Sequence, residues 1–175
     1  MSLIIRREEE KDHRAVEELT REAFWNVYHP GATEHLIVHQ LWNKKHVIKD
    51  LNLVAEADGQ LVGHILYVAS EITADGIRLP SLTFGPLSIS PEHRGRGCGQ
   101  CLLEHSLALA ENSGAVLVAI TGFPDYYSRF DFVRVRRLVF AIKRTQKPII
   151  SWLSYFGQKP WTIETGGLQT LQVMR

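Results

Sequence analysis

Apolar residues return at three- and four-residue steps in some stretches of this chain and at two-residue steps in others, and the change of period marks the elements. Residues 3–7, Leu-Ile-Ile-Arg-Arg, read as a first strand. Over residues 11–24, Ala15, Val16, Leu19 and Ala23 fall on one side of a helix, with Glu17, Glu18, Arg21 and Glu22 on the other. The pattern breaks between Trp25 and Thr33, where Pro30-Gly31 signals a turn, and a second helix is predicted over residues 32–45. Two strands at 52–57 and 61–73 are joined around Asp58-Gly59, and Ala74-Asp75-Gly76 turns the chain into a strand that ends at Ser90. A helix over residues 97–113 carries Leu102, Leu103, Ser106, Leu107 and Ala110 at helical steps and stops near Gly114, a natural C-cap. Residues 115–120 form a continuous apolar run of the buried-strand type. Val133, Val135 and Val139 alternate with Arg134 and Arg136, predicting one strand over 133–142.

Residues 143–175 are less regular. Lys147-Pro148 and Lys159-Pro160 interrupt any element, yet Trp152, Tyr155, Phe156 and Trp161 are too apolar for a disordered tail. The expectation is an extension packed on the same domain, with residues 168–173 as an extra strand and with a lid or homodimer contact as its role. At 175 residues one domain with a sizeable core is expected. A net charge of +1 gives no reason to expect nucleic acid or an anionic membrane surface as a partner. No apolar run approaches the roughly 20 residues of a membrane span. Met1-Ser2-Leu3-Ile4-Ile5-Arg6-Arg7 is too short and wrongly ordered for a signal peptide. Two cysteines are too few for a disulfide scaffold, so a reducing cytoplasm is the expected compartment.

The chemistry concentrates at Arg94-Gly95-Arg96-Gly97-Cys98-Gly99, which stands between the strand ending at Ser90 and the helix that follows. Strand, glycine loop and helix make a phosphate-binding arrangement. The glycines remove side chains that would hold a ligand off the backbone, and the helix start offers N–H groups and a positive dipole end to an anion. A Walker A loop is excluded because Gln100 and Cys101 stand where Lys and Ser/Thr are required. The dinucleotide fingerprint fails at Leu102 counted from Gly97 and at Gln100 counted from Gly95.

What remains is Arg-x-x-Gly-x-Gly, as Arg94, Gly97 and Gly99, which resembles the acyl-CoA pyrophosphate loop of the GNAT superfamily of N-acetyltransferases. A second match lies downstream: Tyr127-Ser128-Arg129-Phe130-Asp131-Phe132 is similar to the family's Tyr-x-x-x-Gly-Phe ending, with Asp131 in the glycine position. If that position needs a positive φ, aspartate tolerates it better than most residues but worse than glycine. The resemblance covers roughly residues 3–142. It implies an α+β fold with a mixed, mostly antiparallel central sheet flanked by helices, whose splayed central strands form the CoA cleft. Residues 1–142 would then be an acetyl-CoA-dependent N-acetyltransferase domain and 143–175 its extension. It implies direct transfer of an acetyl group to a primary amine, on a small molecule or a peptide, in a ternary complex. A CoA-binding sensor or interaction module that has lost catalysis is the alternative.

On this resemblance, amides across Arg96, Gly97, Cys98, Gly99 and Gln100 cradle the pyrophosphate. Gly95 gives room, and Arg94 or Arg96 adds charge. The pantetheine arm pairs with the backbone of Leu87, Ser88 and Ile89, where an N–H near Leu87 serves as oxyanion donor. Gly85-Pro86 fits a bulge just upstream. Tyr127 is the candidate general acid: a phenol with an ordinary pKa of about 10 is protonated at pH 7 and can hand its proton to a leaving thiolate. Packing between aromatics is its other reading. The base stays open among Glu22, His29, His64, Glu71, Asp125 and a water chain. The aromatic segment from Trp25 to Gly31 either holds the amine or plugs the end of the sheet. Cys98-x-x-Cys101 has redox spacing but lies inside the loop, with no second pair. His35-x-x-x-His39 lacks the glutamate and third ligand of a zinc site, so no metal is expected. The basic run from Arg134 to Lys147 reads as a solvated strand face, with contact to an acidic acceptor or the CoA ribose phosphate as its other reading.

Overall fold

The computed structural model describes residues 2–74, 77–115, 117–120, 122–135, 138–142, 161–165 and 169–173. The chain divides into two compact units, Met1–Tyr67 with Gly85–Ala110, and Val68–Phe84 with Glu111–Arg175.

In the first unit β1 (Leu3–Arg7) pairs antiparallel with β2 (Leu53–Ala57), placing Ile5 opposite Ala55. β2 pairs antiparallel with the start of β3 (Gln60–Ala74). Their two-residue turn holds Asp58 and Gly59 at φ 51 and 79, the double positive φ that matches the twist of a hairpin. Helices α1 (His13–Phe24) and α2 (Glu34–Leu41) follow β1, and α3 (Cys98–Ala110) follows the glycine loop. The buried face of α1 is Val16, Leu19, Thr20 and Ala23. Ala15, expected inward, is exposed. Thr20 is fully buried instead, because its hydroxyl accepts a hydrogen bond from Ser88 at 3.0 Å. The second helix is shorter than its apolar period, since the chain turns after Trp42, whose indole N–H donates to the buried carboxylate of Glu8 at 2.8 Å.

One ionic clamp ties this unit's strands to the entry of α1. The Arg6 guanidinium grips both oxygens of Asp12, at 2.6 and 2.9 Å, and donates from Nε to Glu56 Oε1 at 2.9 Å. Asp12 also accepts the Glu9 N–H at 2.8 Å. That fork, chiefly its hydrogen bond, holds the Asp12 carboxyl below the usual range.

In the second unit the first half of β4 (Ile77–Ile89) runs parallel to β5 (Leu117–Ile120), with Leu82 opposite Val118. β5 pairs antiparallel with β7 (Leu138–Ile142), which pairs antiparallel with β6 (Phe132–Val135). The single strand expected over 133–142 is therefore a hairpin, with Val135 opposite Leu138. The sequence between Val135 and Leu138 carries no Gly, Asn or Asp hairpin signal. The second half of β3 pairs with β8 (Trp161–Thr165), and β8 with β9 (Gln169–Val173), so the strand expected at 168–173 is present with an unforeseen partner. The rest of that extension, 143–160, 166–168 and 174–175, lies outside the described residues. A short helix α4 (Pro124–Tyr127) precedes β6. The parallel β4–β5 ladder among otherwise antiparallel pairs is the mixed, mostly antiparallel sheet expected of the chain. No helix among the described residues is long and apolar enough to cross a membrane.

Candidate active site

The glycine loop belongs to the first unit, and its shape follows from its residues. β4 ends in Leu87, Ser88 and Ile89; the Ser88 hydroxyl donates to Thr20, and the Ser90 N–H donates to the Val62 carbonyl at 2.9 Å. A 3-10 turn over Pro91–His93 then leads to Arg94. Gly95 and Gly97 sit at φ 71 and 83, where an L side chain is strained, and a Cβ on either would meet nothing within 4 Å. These glycines are therefore required by backbone conformation, while the space beside them stands open. The first intrahelical bond at this end of α3 is Cys101 N–H to Gly97 O at 2.9 Å, so the amides just before it point out of the helix's N-terminal end.

Two features of the loop go beyond its spacing. The Arg94 guanidinium donates to the carbonyl of Ala23 in the last turn of α1, a carbonyl that otherwise lacks an intrahelical donor. Arg94 thus ties the loop to α1, and both Arg94 and Arg96 are exposed. Gly63 lets β4 and α3 approach β3: a Cβ there would lie 2.9 Å from Ile89 Cδ1 and 3.2 Å from both Ala55 Cβ and Leu102 Cδ2. The Cys98 side chain is buried in this packing, so only its backbone faces the loop, while Cys101 is exposed.

Along the same unit an open cavity of about 810 Å³ is lined by Ala15, Leu19, Glu22 and Trp25 of α1 and its end, by Gln60 and Leu61, and by Ser90 to Glu92. Trp25 and Tyr28 are each 57 % exposed, so they do not plug the sheet.

In the second unit Tyr127 closes α4 and is 8 % exposed. Its ring packs edge-on against Phe84, with centroids 5.9 Å apart, and lies 5.4 Å from Phe132 and 5.0 Å from Tyr126. Asp131 adopts φ 61, ψ 19, the left-handed conformation that the family's glycine would supply, and Phe132 is buried just beyond it.

The candidate bases separate by environment. His64 is fully buried, with Nε2 3.4 Å from Glu8, and so has no access to an acceptor. Glu71 pairs with Arg78 at 3.6 Å. His29 is engaged locally with the Pro30 carbonyl and Thr33. Glu22 and Asp125 are exposed, and Glu22 lines the cavity. His39 pairs with Glu17 at 2.5 Å, and no group of three His, Cys, Asp or Glu side chains among the described residues could hold a metal.

The family model described as an acetyltransferase (GNAT) domain matches residues 4–135. An Escherichia coli K12 protein described as the uncharacterized N-acetyltransferase YjhQ is 29% identical over 82 residues, 47% of this chain and 45% of its own length, so the chain spans under half of that relative. A GNAT family acetyltransferase from Brucella melitensis, solved in complex with acetyl-CoA, is 29% identical with a TM-score of 0.72, covering 84% of this chain and 92% of that one. The GNAT family N-acetyltransferase YhbS from Escherichia coli, solved in complex with CoA, is 25% identical with a TM-score of 0.67, covering 80% and 81%. The family match takes in both the glycine loop and the Tyr127–Phe132 ending, and the chain belongs to the GNAT acetyltransferase family.

Proposed function

We propose that the chain transfers an acetyl group from acetyl-CoA to a primary amine by direct attack in a ternary complex. The observation that carries this reading is the loop: two left-handed glycines with open space beside them, leading into the first turn of a 13-residue helix. An N-terminal helix end with close backbone access suits a pyrophosphate. The complexes of the Brucella protein with acetyl-CoA and of YhbS with CoA support the same ligand here. In this reading the amides from Arg96 to Gln100 cradle the pyrophosphate, Gly95 leaves room for it and Arg96 adds charge. Arg94 keeps the loop in place, and the backbone of Leu87, Ser88 and Ile89 pairs with the pantetheine arm.

The acceptor nitrogen attacks the thioester carbonyl, whose oxygen takes the developing charge and is met by a backbone N–H near Leu87. Collapse breaks the C–S bond, and the thiolate takes a proton from the Tyr127 phenol. The proton lost by the amine goes to water or to an exposed carboxylate such as Glu22. The test is release of free CoA thiol over a panel of amines, with Tyr127→Phe beside the wild type. Loss of a general acid lowers turnover by about a hundredfold or more and leaves acetyl-CoA affinity unchanged. Unchanged turnover removes Tyr127 from the mechanism, and acetyl-CoA binding with no thiol release from any amine turns the reading to a CoA sensor.

A further inference from the structure

We propose that Gly122 is a positioning residue for the phenol of Tyr127, acting by the absence of its side chain. The inference rests on the reading of Tyr127 as general acid. Gly122 lies between β5 and α4, half-buried, and nothing in the sequence pattern singles it out. Its φ lies outside the left-handed range, so any residue could adopt its backbone. What the position demands is space. A Cβ built on Gly122 would stand 2.5 Å from Tyr127 Cε2, 3.3 Å from Cδ2 and 3.4 Å from Cζ. The first of these is closer than carbon atoms approach one another without something moving.

The ring has little freedom to yield. Phe84, Phe132 and Tyr126 surround it, and it is almost fully buried. The atoms that would be struck also decide the outcome. Cε2 adjoins Cζ, which carries the hydroxyl, so the push falls on the edge of the ring that holds the reacting proton. Opening 2.5 Å to an ordinary contact moves that edge by about 1 Å, a displacement that costs a catalytic group on the order of a hundredfold.

The experiment is a double-mutant cycle on the full chain with Gly122→Ala, Tyr127→Phe and the pair, reading kcat, KM for both substrates and acetyl-CoA affinity by calorimetry. The expected result is a kcat loss of about 10- to 100-fold in Gly122→Ala with acetyl-CoA affinity unchanged, and no further kcat loss when Gly122→Ala is added to Tyr127→Phe. A Gly122→Ala enzyme with wild-type kcat overturns the proposal while leaving the general-acid reading standing. If Tyr127→Phe keeps wild-type kcat, the general-acid reading fails and this one with it. Losses that multiply in the pair show that Gly122 acts apart from the phenol, which also overturns the proposal. Should Gly122→Ala unfold below the assay temperature, the steric core of the argument is read from Tm. The drop caused by Gly122→Ala should largely disappear in a Tyr127→Ala background, and an equal drop there refutes the contact.

Discussion

Replacing Gly97 by alanine separates what the loop does for the fold from what it does for the ligand. Gly97 holds φ 83, a conformation that costs an alanine about 1 kcal/mol, but its missing Cβ would touch nothing within 4 Å. The stability loss is therefore backbone strain alone. Gly114, after the 3-10 turn Glu111–Ser113 that follows α3, offers a matched control: it holds φ 78, and its Cβ would also meet open space. Both variants should lose about 1 kcal/mol in urea unfolding. On the proposed reading, only the methyl at Gly97 would stand where the pyrophosphate approaches the helix end. Two charge-assisted hydrogen bonds lengthened beyond use cost about 3 kcal/mol, a hundredfold or more in affinity. Calorimetric titration with acetyl-CoA should show that loss for Gly97→Ala and wild-type affinity for Gly114→Ala. Equal affinity in the two variants would refute the loop as the pyrophosphate cradle.

The Arg6 clamp gives a stability prediction with a pH signature. Arg6→Gln strands a 7 % exposed carboxylate and should cost about 2–3 kcal/mol in denaturant unfolding. Because Arg6 holds the folded-state Asp12 carboxyl low, its stabilisation is present above the unfolded value of about 3.9 and is lost as pH falls through the folded value below it. Wild-type Tm should therefore drop below about pH 4, and the drop should be shallower in Arg6→Gln; parallel acid limbs would contradict the assignment. At Asp131 the sign reverses: Asp131→Gly relieves a left-handed aspartate and should raise stability by up to about 1 kcal/mol, and a loss would show that the aspartate side chain is needed there.

Elements whose identity rests on local spacing were readable from the chain alone. β1 falls on Leu3–Arg7, the Asp58-Gly59 turn sits where the dipeptide stands, and α3 starts at the loop but ends at Ala110, a 3-10 turn over Glu111–Ser113 filling the stretch before Gly114. The left-handed demand at residue 131 was legible because a family glycine is a conformational statement. What could not be read depends on partners far along the chain. Thr20 is buried for the sake of Ser88, 68 residues on, which a polar residue in a helix pattern does not announce. Arg94 is a phosphate-loop residue by resemblance, and only the fold shows that its guanidinium also donates to the Ala23 carbonyl, 71 residues away. The β6–β7 hairpin was not legible because no Gly, Asn or Asp stands between Val135 and Leu138, nor was the role of Gly122, because the need for space leaves no mark on a backbone angle.

The central claim is that the glycine loop holds the CoA moiety of an acetyl donor. Calorimetric titration of acetyl-CoA into the purified chain, with desulfo-CoA and ATP as controls, tests it most directly. The account predicts saturable one-to-one binding of both CoA species with ATP much weaker. No binding of either CoA species, or ATP bound as tightly as they are, would contradict it.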